Sequence, residues 1–223
     1  FYRFAEESES YAEELAKKGI GWVTALDDEY PDLLREAENA PPVLFYKGNL
    51  SLLGTFSLAI VGTRRPTRYG AKIADEFARE FARAGITVVS GFARGIDSCA
   101  HRACVSSGAP TVAVFGCGVD VCYPAENREL YDSVLSCGGL FVSEYAPGTR
   151  PAPYRFPERN RIISGLCRGV LLPEAAEKSG SLITANTAVE QGRGLFIVPG
   201  DLYSSEGSRT HAPLRTLPHA RPR

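Results

Sequence analysis

The sequence predicts an α/β fold, a mostly parallel sheet with helices on both faces, and three observations carry that expectation. Six short apolar runs recur from Leu58 onward, a stretch of helical character follows nearly every one, and nearly all the runs end in Gly, Ser or Glu. Strands this short and this continuously apolar are buried on both faces, and strands separated by helices pair in parallel. The layout is Rossmann-like.

The elements follow in chain order. FAEESESYAEELAKK at 4–18 has the composition of a helix, a second short helix begins near Pro31 and is broken by Ala40, Pro41 and Pro42, and VLFYKG at 43–48 reads as a brief strand. Residues 1–52 are therefore expected to form a small, mainly helical N-terminal appendage. The Rossmann-like domain, 53–203, runs LAIVG, helix 70–84, ITVVSG, helix 95–107, TVAVFG, helix 125–136, LFVSE, a loop, helix 161–167, GVLLPE, helix 181–191 and LFIVPG. On its first helix Ile73, Phe77 and Phe81 fall four apart and form one apolar face. Pro173 ends the GVLL run as a strand. Residues 204–223 are polar, rich in Pro and Arg and without an apolar period, so this tail is expected to be irregular or disordered.

Composition narrows the function classes. No apolar run approaches the ~20 residues of a membrane helix and the first residues lack a signal-peptide pattern, so a soluble, cytoplasmic protein with no membrane partner is expected. The net charge is −1, so binding to nucleic acid has to come from local clustering of arginine. Two of the cysteine intervals, Cys99 to Cys104 and Cys117 to Cys122, are C-x4-C. Zinc sites usually use C-x2-C hooks on turns, and Cys99 and Cys104 fall in a helical stretch, so the cysteines read as reduced, buried thiols with no metal. The chain of 223 residues has no methionine, which is odd for its size and points to a fragment or to omitted residues.

In such sheets ligands bind at the carboxyl ends of the strands, so the loops starting at Gly62, Ser90, Gly116, Ser143, Glu174 and Pro199 should share one rim. VGTRRPTRYG at 61–70 has the strand, glycine turn, helix context of a dinucleotide site but only two of its three small residues, Gly62 and Gly70. Arg64, Arg65 and Arg68 would crowd a nucleotide lying on the backbone, yet they suit exposed phosphate oxygens. Between Glu144 and Arg161 lies a long proline-rich interval, and residues 148–168 carry five arginines against the single acid Glu158. Tyr154 and Phe156 interleave with those arginines, which is what single-stranded nucleic acid needs: cations for its backbone and flat faces for its bases. Ser179, Gly180 and Ser181 open a helix and offer either an anion seat or a plain N-cap. Asp97 and His101, four apart, can pair along a helix, and Tyr123, Pro124 and Asn127 read as turn and cap chemistry. No nucleophile elbow, phosphate-binding Walker loop or paired carboxylate accompanies them, so a binding protein without catalytic residues or cofactor is expected.

Together with VGTRRPTRYG, the segments SGFARGIDSCAH (90–101), GCGVDVCYPAEN (116–127), FPERNRIISG (156–165) and SGSLITA (179–185) resemble the DNA-processing protein A family, also called Smf, over about Tyr30 to Gly200. That resemblance implies a bacterial cytosolic protein that binds single-stranded DNA during natural transformation, protects it, helps load the RecA recombinase and forms a homodimer. The DNA-binding candidates it implies are Gly62, Thr63, Arg64 and Arg65 in the first loop, and Ser90, Gly91 and Arg94 in the second. Phe156, Arg159, Asn160 and Arg161 match the family's F-x-x-R-N-R, with one stacked base between two phosphate contacts, and Ser179, Gly180 and Ser181 complete the set. Structural alternatives stand beside these: Phe156 in the core, Arg161 capping a helix, Arg64 paired with Asp97 or Glu144. A rival enzyme class, the LOG phosphoribohydrolases, uses a P-G-G-x-G-T-x-x-E loop. Here SGSLITANTAVE lacks the double glycine and puts Glu190 six residues beyond Thr184.

Overall fold

The computed structural model describes residues 2–176 and 179–199. Among them, eight strands form one sheet: β1 (Gly21–Thr24), β2 (Val43–Gly48), β3 (Ser57–Ile60), β4 (Thr87–Ser90), β5 (Thr111–Val114), β6 (Leu140–Ser143), β7 (Gly169–Leu172) and β8 (Gly194–Ile197). Their order is β1-β2-β6-β5-β4-β3-β7-β8. The strands from β3 to β8 pair in parallel, and β1 and β2 add an antiparallel hairpin along β6. The helices are α1 (Tyr2–Lys17), α2 (Asp32–Arg35), α3 (Arg68–Arg83), α4 (Ile96–Ser106), α5 (Arg128–Ser136), α6 (Arg155–Gly165) and α7 (Gly180–Glu190).

Alternation along each strand divides the core into two layers. Ala59, Val112, Val114, Leu140, Val142, Val170 and Leu172 face Leu34 of α2, Ile162 and Ile163 of α6 and Ala188 of α7. Their neighbours Ile60, Val88 and Leu171 face α3 and α4, while Ala113 and Phe141 face Leu15 of α1 and the α5 side chains Leu130, Tyr131 and Val134. Burial on both faces is what the continuous apolar runs required.

Four local findings refine the expectation. The N-terminal region holds α1 and α2 but also the β1–β2 hairpin, and it is not set apart from the sheet: β2 pairs with β6, and Tyr30, Leu34 and Leu44 share a core with Val142 and Ile162. The buried line of α3 is Gly70, Ala74 and Ala78, not Ile73, Phe77 and Phe81, because small side chains let the helix lie close to its neighbours. Phe77 is exposed and meets Phe81 edge to face at 5.8 Å, while Phe81 is half-buried against the edge of the α3–α4 core. The proline-rich interval is only half irregular, since α6 begins at Arg155 and takes Pro157 into its first turn, where a missing N–H is no loss. As Pro173 indicated, β7 ends at Leu172. The 204–223 tail lies outside the described residues, and among those described no helix is long and apolar enough to cross a membrane.

β3 lies between β4 and β7, and the chain moves outward from it in both directions. The carboxyl ends of β3 and β7 therefore diverge, which makes the topological switch point where such sheets open a crevice.

Candidate nucleic-acid interface

A cleft of about 550 Å³ occupies that switch point. Its walls bring together Gly62, Thr63, Arg64 and Arg65 from the loop after β3, Phe156, Arg159 and Asn160 from α6, and Ser179, Gly180 and Ser181 from the start of α7. Ten of the fourteen sequence candidates thus meet in one place, although they come from three separate stretches of chain. Gly91 and Arg94 line a smaller recess that adjoins through Arg64, Phe156 and Arg159.

Arg64 and Arg65 are exposed, and among the described residues no ion pair engages either of them. The Arg64 guanidinium lies 5.6 Å from the centre of the Phe156 ring. The loop carrying it is pinned from below: Gly95, with φ +75°, has Thr63 and Arg64 backbone where a Cβ would stand, and Ile96 N–H donates to the Thr63 carbonyl at 3.2 Å. Phe156 is half-buried. Its ring rests on Gly116, where an added Cβ would come within 2.9 Å, and stacks with Tyr123 at 5.4 Å and 23°. Tyr123, read from sequence as turn chemistry, is thus the second aromatic of the site; only its place beside the glycine turn hinted at this.

Other candidates are placed differently from the expectation. Ser90 is fully buried, and its hydroxyl donates to the Ile60 carbonyl at 2.6 Å, tying β4 to β3 beneath the rim. Arg161 faces away from the cleft, where Glu144 takes its guanidinium in a two-pronged pair at 2.6 and 3.0 Å. The Arg159 side chain is buried and donates to the carbonyls of Gly91, at 2.7 Å, and Val114. It joins the ends of β4 and β5 as a buried cation, so the picture of a base flanked by two free arginines is corrected on both sides. Arg94 is exposed but paired with Glu126. Asn160 donates to the Gly180 carbonyl at 3.1 Å, and the Ser179 hydroxyl accepts from Ser181 N–H at 3.3 Å, so capping is part of the role of this turn.

Beneath the cleft sit three buried titratable side chains, Asp97, His101 and Arg159. Burial raises the Asp97 carboxyl pKa, with Arg159 opposing the shift. Burial also lowers the Arg159 guanidinium to about 10. Asp97 and His101 do not pair as their spacing suggested: Asp97 accepts from Ala93 N–H at 3.3 Å, whereas His101 Nδ1 meets the Thr111 hydroxyl at 2.9 Å. Each is held by backbone or by a strand residue that sequence spacing does not reveal. Glu190, the carboxylate weighed for a hydrolase, lies on the Arg161 side and lines a different groove.

The site's composition is cationic and aromatic at its mouth, with hydroxyls and helix N–H groups at its far wall, and the chain that builds it is similar to known proteins. The family profile described as DNA recombination-mediator protein A matches residues 21–217. "DNA processing protein DprA" of Streptococcus pneumoniae is 45% identical over 186 residues, covering 83% of this chain and 65% of that protein. "Protein Smf" of Escherichia coli is 43% identical over 180 residues, covering 81% of this chain and 48% of that protein. The chain thus spans about half to two thirds of the length of these relatives. In structure, DNA processing protein A of S. pneumoniae superposes with a TM-score of 0.81 at 42% identity, covering 91% of this chain and 71% of that one. The Helicobacter pylori protein, described for its single-stranded DNA binding mode, gives 0.75 at 33% identity, covering 84% and 85%. With the family profile matched along most of its length and the same fold in two solved relatives, the chain belongs to the DNA recombination-mediator protein A family.

Proposed function

We propose that the switch-point cleft binds single-stranded DNA, and that the chain serves natural transformation by protecting incoming DNA and helping to load RecA. The observation that carries this reading is the exposed Arg64 guanidinium set 5.6 Å from a half-buried, stacked aromatic, Phe156. A forked cation contacts a phosphodiester, and the flat rings beside it suit an unpaired base. The H. pylori relative, described for single-stranded DNA binding, supports the choice of ligand. The family description as a recombination mediator supports RecA as the protein partner, and a homodimer belongs to the same proposal. The same reading makes the role binding and not catalysis, in keeping with a cleft whose described lining offers arginine, aromatic ring, hydroxyl and backbone, with the buried Asp97 as its one carboxylate among the described residues.

The test is a salt titration with oligonucleotides. Single strands should bind more tightly than duplex, with little sequence preference. Arg64→Ala should leave the melting temperature unchanged and reduce the slope of log affinity against log salt by about 0.7, the value for one phosphate of a single strand. Arg64→Lys should recover part of the affinity, since it keeps the charge but not the fork. Equal affinity for both forms of DNA, or an unchanged slope in Arg64→Ala, would remove the cleft from DNA binding.

A further inference from the structure

In a Rossmann-like sheet the first strand-to-helix turn is where a nucleotide's phosphate ordinarily sits, against the open N–H groups of the helix that follows. Here that turn is the loop from β3 to α3, and its seat is filled from within the chain. Glu174, two residues beyond β7 and buried, turns its carboxylate onto the start of α3. One oxygen, Oε2, accepts from Thr67 N–H at 2.9 Å and from the Thr67 hydroxyl at 2.8 Å. That same hydroxyl accepts from Gly70 N–H at 3.1 Å as the helix N-cap. The Glu174 backbone also takes part, its carbonyl accepting from Thr63 N–H at 2.9 Å.

Both glycines of VGTRRPTRYG are explained by this residue. A Cβ on Gly70 would stand 2.0 Å from Glu174 Oε2, and one on Gly62 would stand 2.7 Å from the Glu174 carbonyl oxygen and 2.6 Å from Ile96. In a dinucleotide site glycines at such places admit pyrophosphate to the backbone. In this chain they admit a carboxylate of the protein itself.

We propose that Glu174 is a specificity-determining residue, a built-in anion that occupies the phosphate seat of the first turn and keeps free phosphate and nucleotide phosphates out of it. The cleft's cations at that loop, Arg64 and Arg65, are exposed, so they meet a phosphate carried by an external chain and not one lodged against the backbone. This consequence rests on the reading of the cleft as a DNA site. The occupied seat does not. Glu174 acts on DNA only as a positioning residue, by fixing the loop that bears Arg64.

The experiment compares wild type, Glu174→Gln and Glu174→Ala in inorganic phosphate and in chloride at matched ionic strength. Glu174→Ala empties the seat, so phosphate should restore an anion to α3 and raise its Tm by about 3–5 °C for each tenfold increase above the phosphate Kd. Wild type and Glu174→Gln, whose side chains fill the seat, should show only the small rise that an excluded, kosmotropic anion gives any fold, and the rise in Glu174→Ala is read as the excess over theirs. If Glu174→Ala does not fold in chloride, folding is scored in phosphate, and recovery there supports the proposal. A Glu174→Ala protein that is unfolded in both salts, or folded in both with no larger shift than wild type, overturns it. Oligonucleotide binding by wild type is measured in parallel: its absence would sink the proposed function while leaving the phosphate result to stand or fall alone.

Discussion

Arg64 and Arg159 have the same side chain and opposite surroundings. Arg64 projects from a pinned loop into solvent, and the two acids weighed as its partners, Glu144 and Asp97, are engaged elsewhere. Glu144 is taken by Arg161, and Asp97 lies buried in the field of Arg159. Arg159 is buried with carbonyl partners from two strands. Both carbonyls accept from one nitrogen, Nη1, at the tip of a long planar group, whereas a lysine ammonium sits one bond shorter on a flexible stem and cannot reach the same point. Arg159→Lys should therefore lose one of these charge-assisted bonds and lower stability by about 1.5–3 kcal/mol, read as a fall in Tm. Its salt slope for DNA should match wild type, because the charge remains and touches no phosphate. A reduced slope with an unchanged Tm would return Arg159 to the list of direct DNA contacts.

At the scale of elements, what was legible in the sequence was whatever local chemistry decides. The strands β3 to β7 appear as apolar runs because both of their faces are covered, β8 appears as one although half of it is exposed, and α3, α4 and α7 appear because a glycine or serine turn precedes each. Elements fixed by distant partners were not legible. GWVT at β1 is four residues with a half-exposed burial pattern, and it is a strand because β2 lies beside it. The start of α6 was hidden by Pro157, which is as much at home in a first helical turn as in a loop. The site shows the same division: the loop residues could be placed on a rim from strand ends alone, while the Tyr123 stack and the Glu174 seat depend on tertiary approach. The hairpin also bears on where the domain begins. Removing residues 1–52 would bare the β6 edge and take Tyr30, Leu34 and Leu44 out of a shared core. A chain starting at residue 53 should thus aggregate or melt well below the full chain. A fragment with the Tm of the full chain would make the N-terminal region a dispensable appendage.

Over the whole molecule, acids and bases nearly cancel, so the stability of the fold against pH is set by a few buried groups rather than by net charge. His101 is the one with the largest consequence near neutrality. It is fully buried between α4 and β5, and burial lowers its pKa to about 3, with the charge of Arg159 adding to the shift. The Thr111 hydroxyl donates to the Val88 carbonyl at 2.7 Å, so in its contact with His101 it accepts, and the ring's proton is on Nδ1. Nε2 is buried without a partner among the described residues, and protonating it would place a second cation near Arg159. In the unfolded chain the same ring titrates near its ordinary value of about 6.5. The unfolded state therefore binds a proton that the native state refuses. The contribution is fully present above about pH 6.5 and is lost as pH falls toward 3, by up to about 1.4 kcal/mol per pH unit. Asp97, raised by burial, works in the opposite sense, since its native form takes up a proton before the unfolded form does. Comparing wild type with His101→Asn separates the two, because asparagine offers an amide N–H to Thr111, cannot titrate, and leaves Asp97 in place. Between pH 6.5 and 5 the unfolding free energy of wild type should fall more steeply than that of the variant by close to one proton's worth. Parallel curves would mean that His101 is protonated in the native fold, and that the buried layer under the cleft tolerates a second cation.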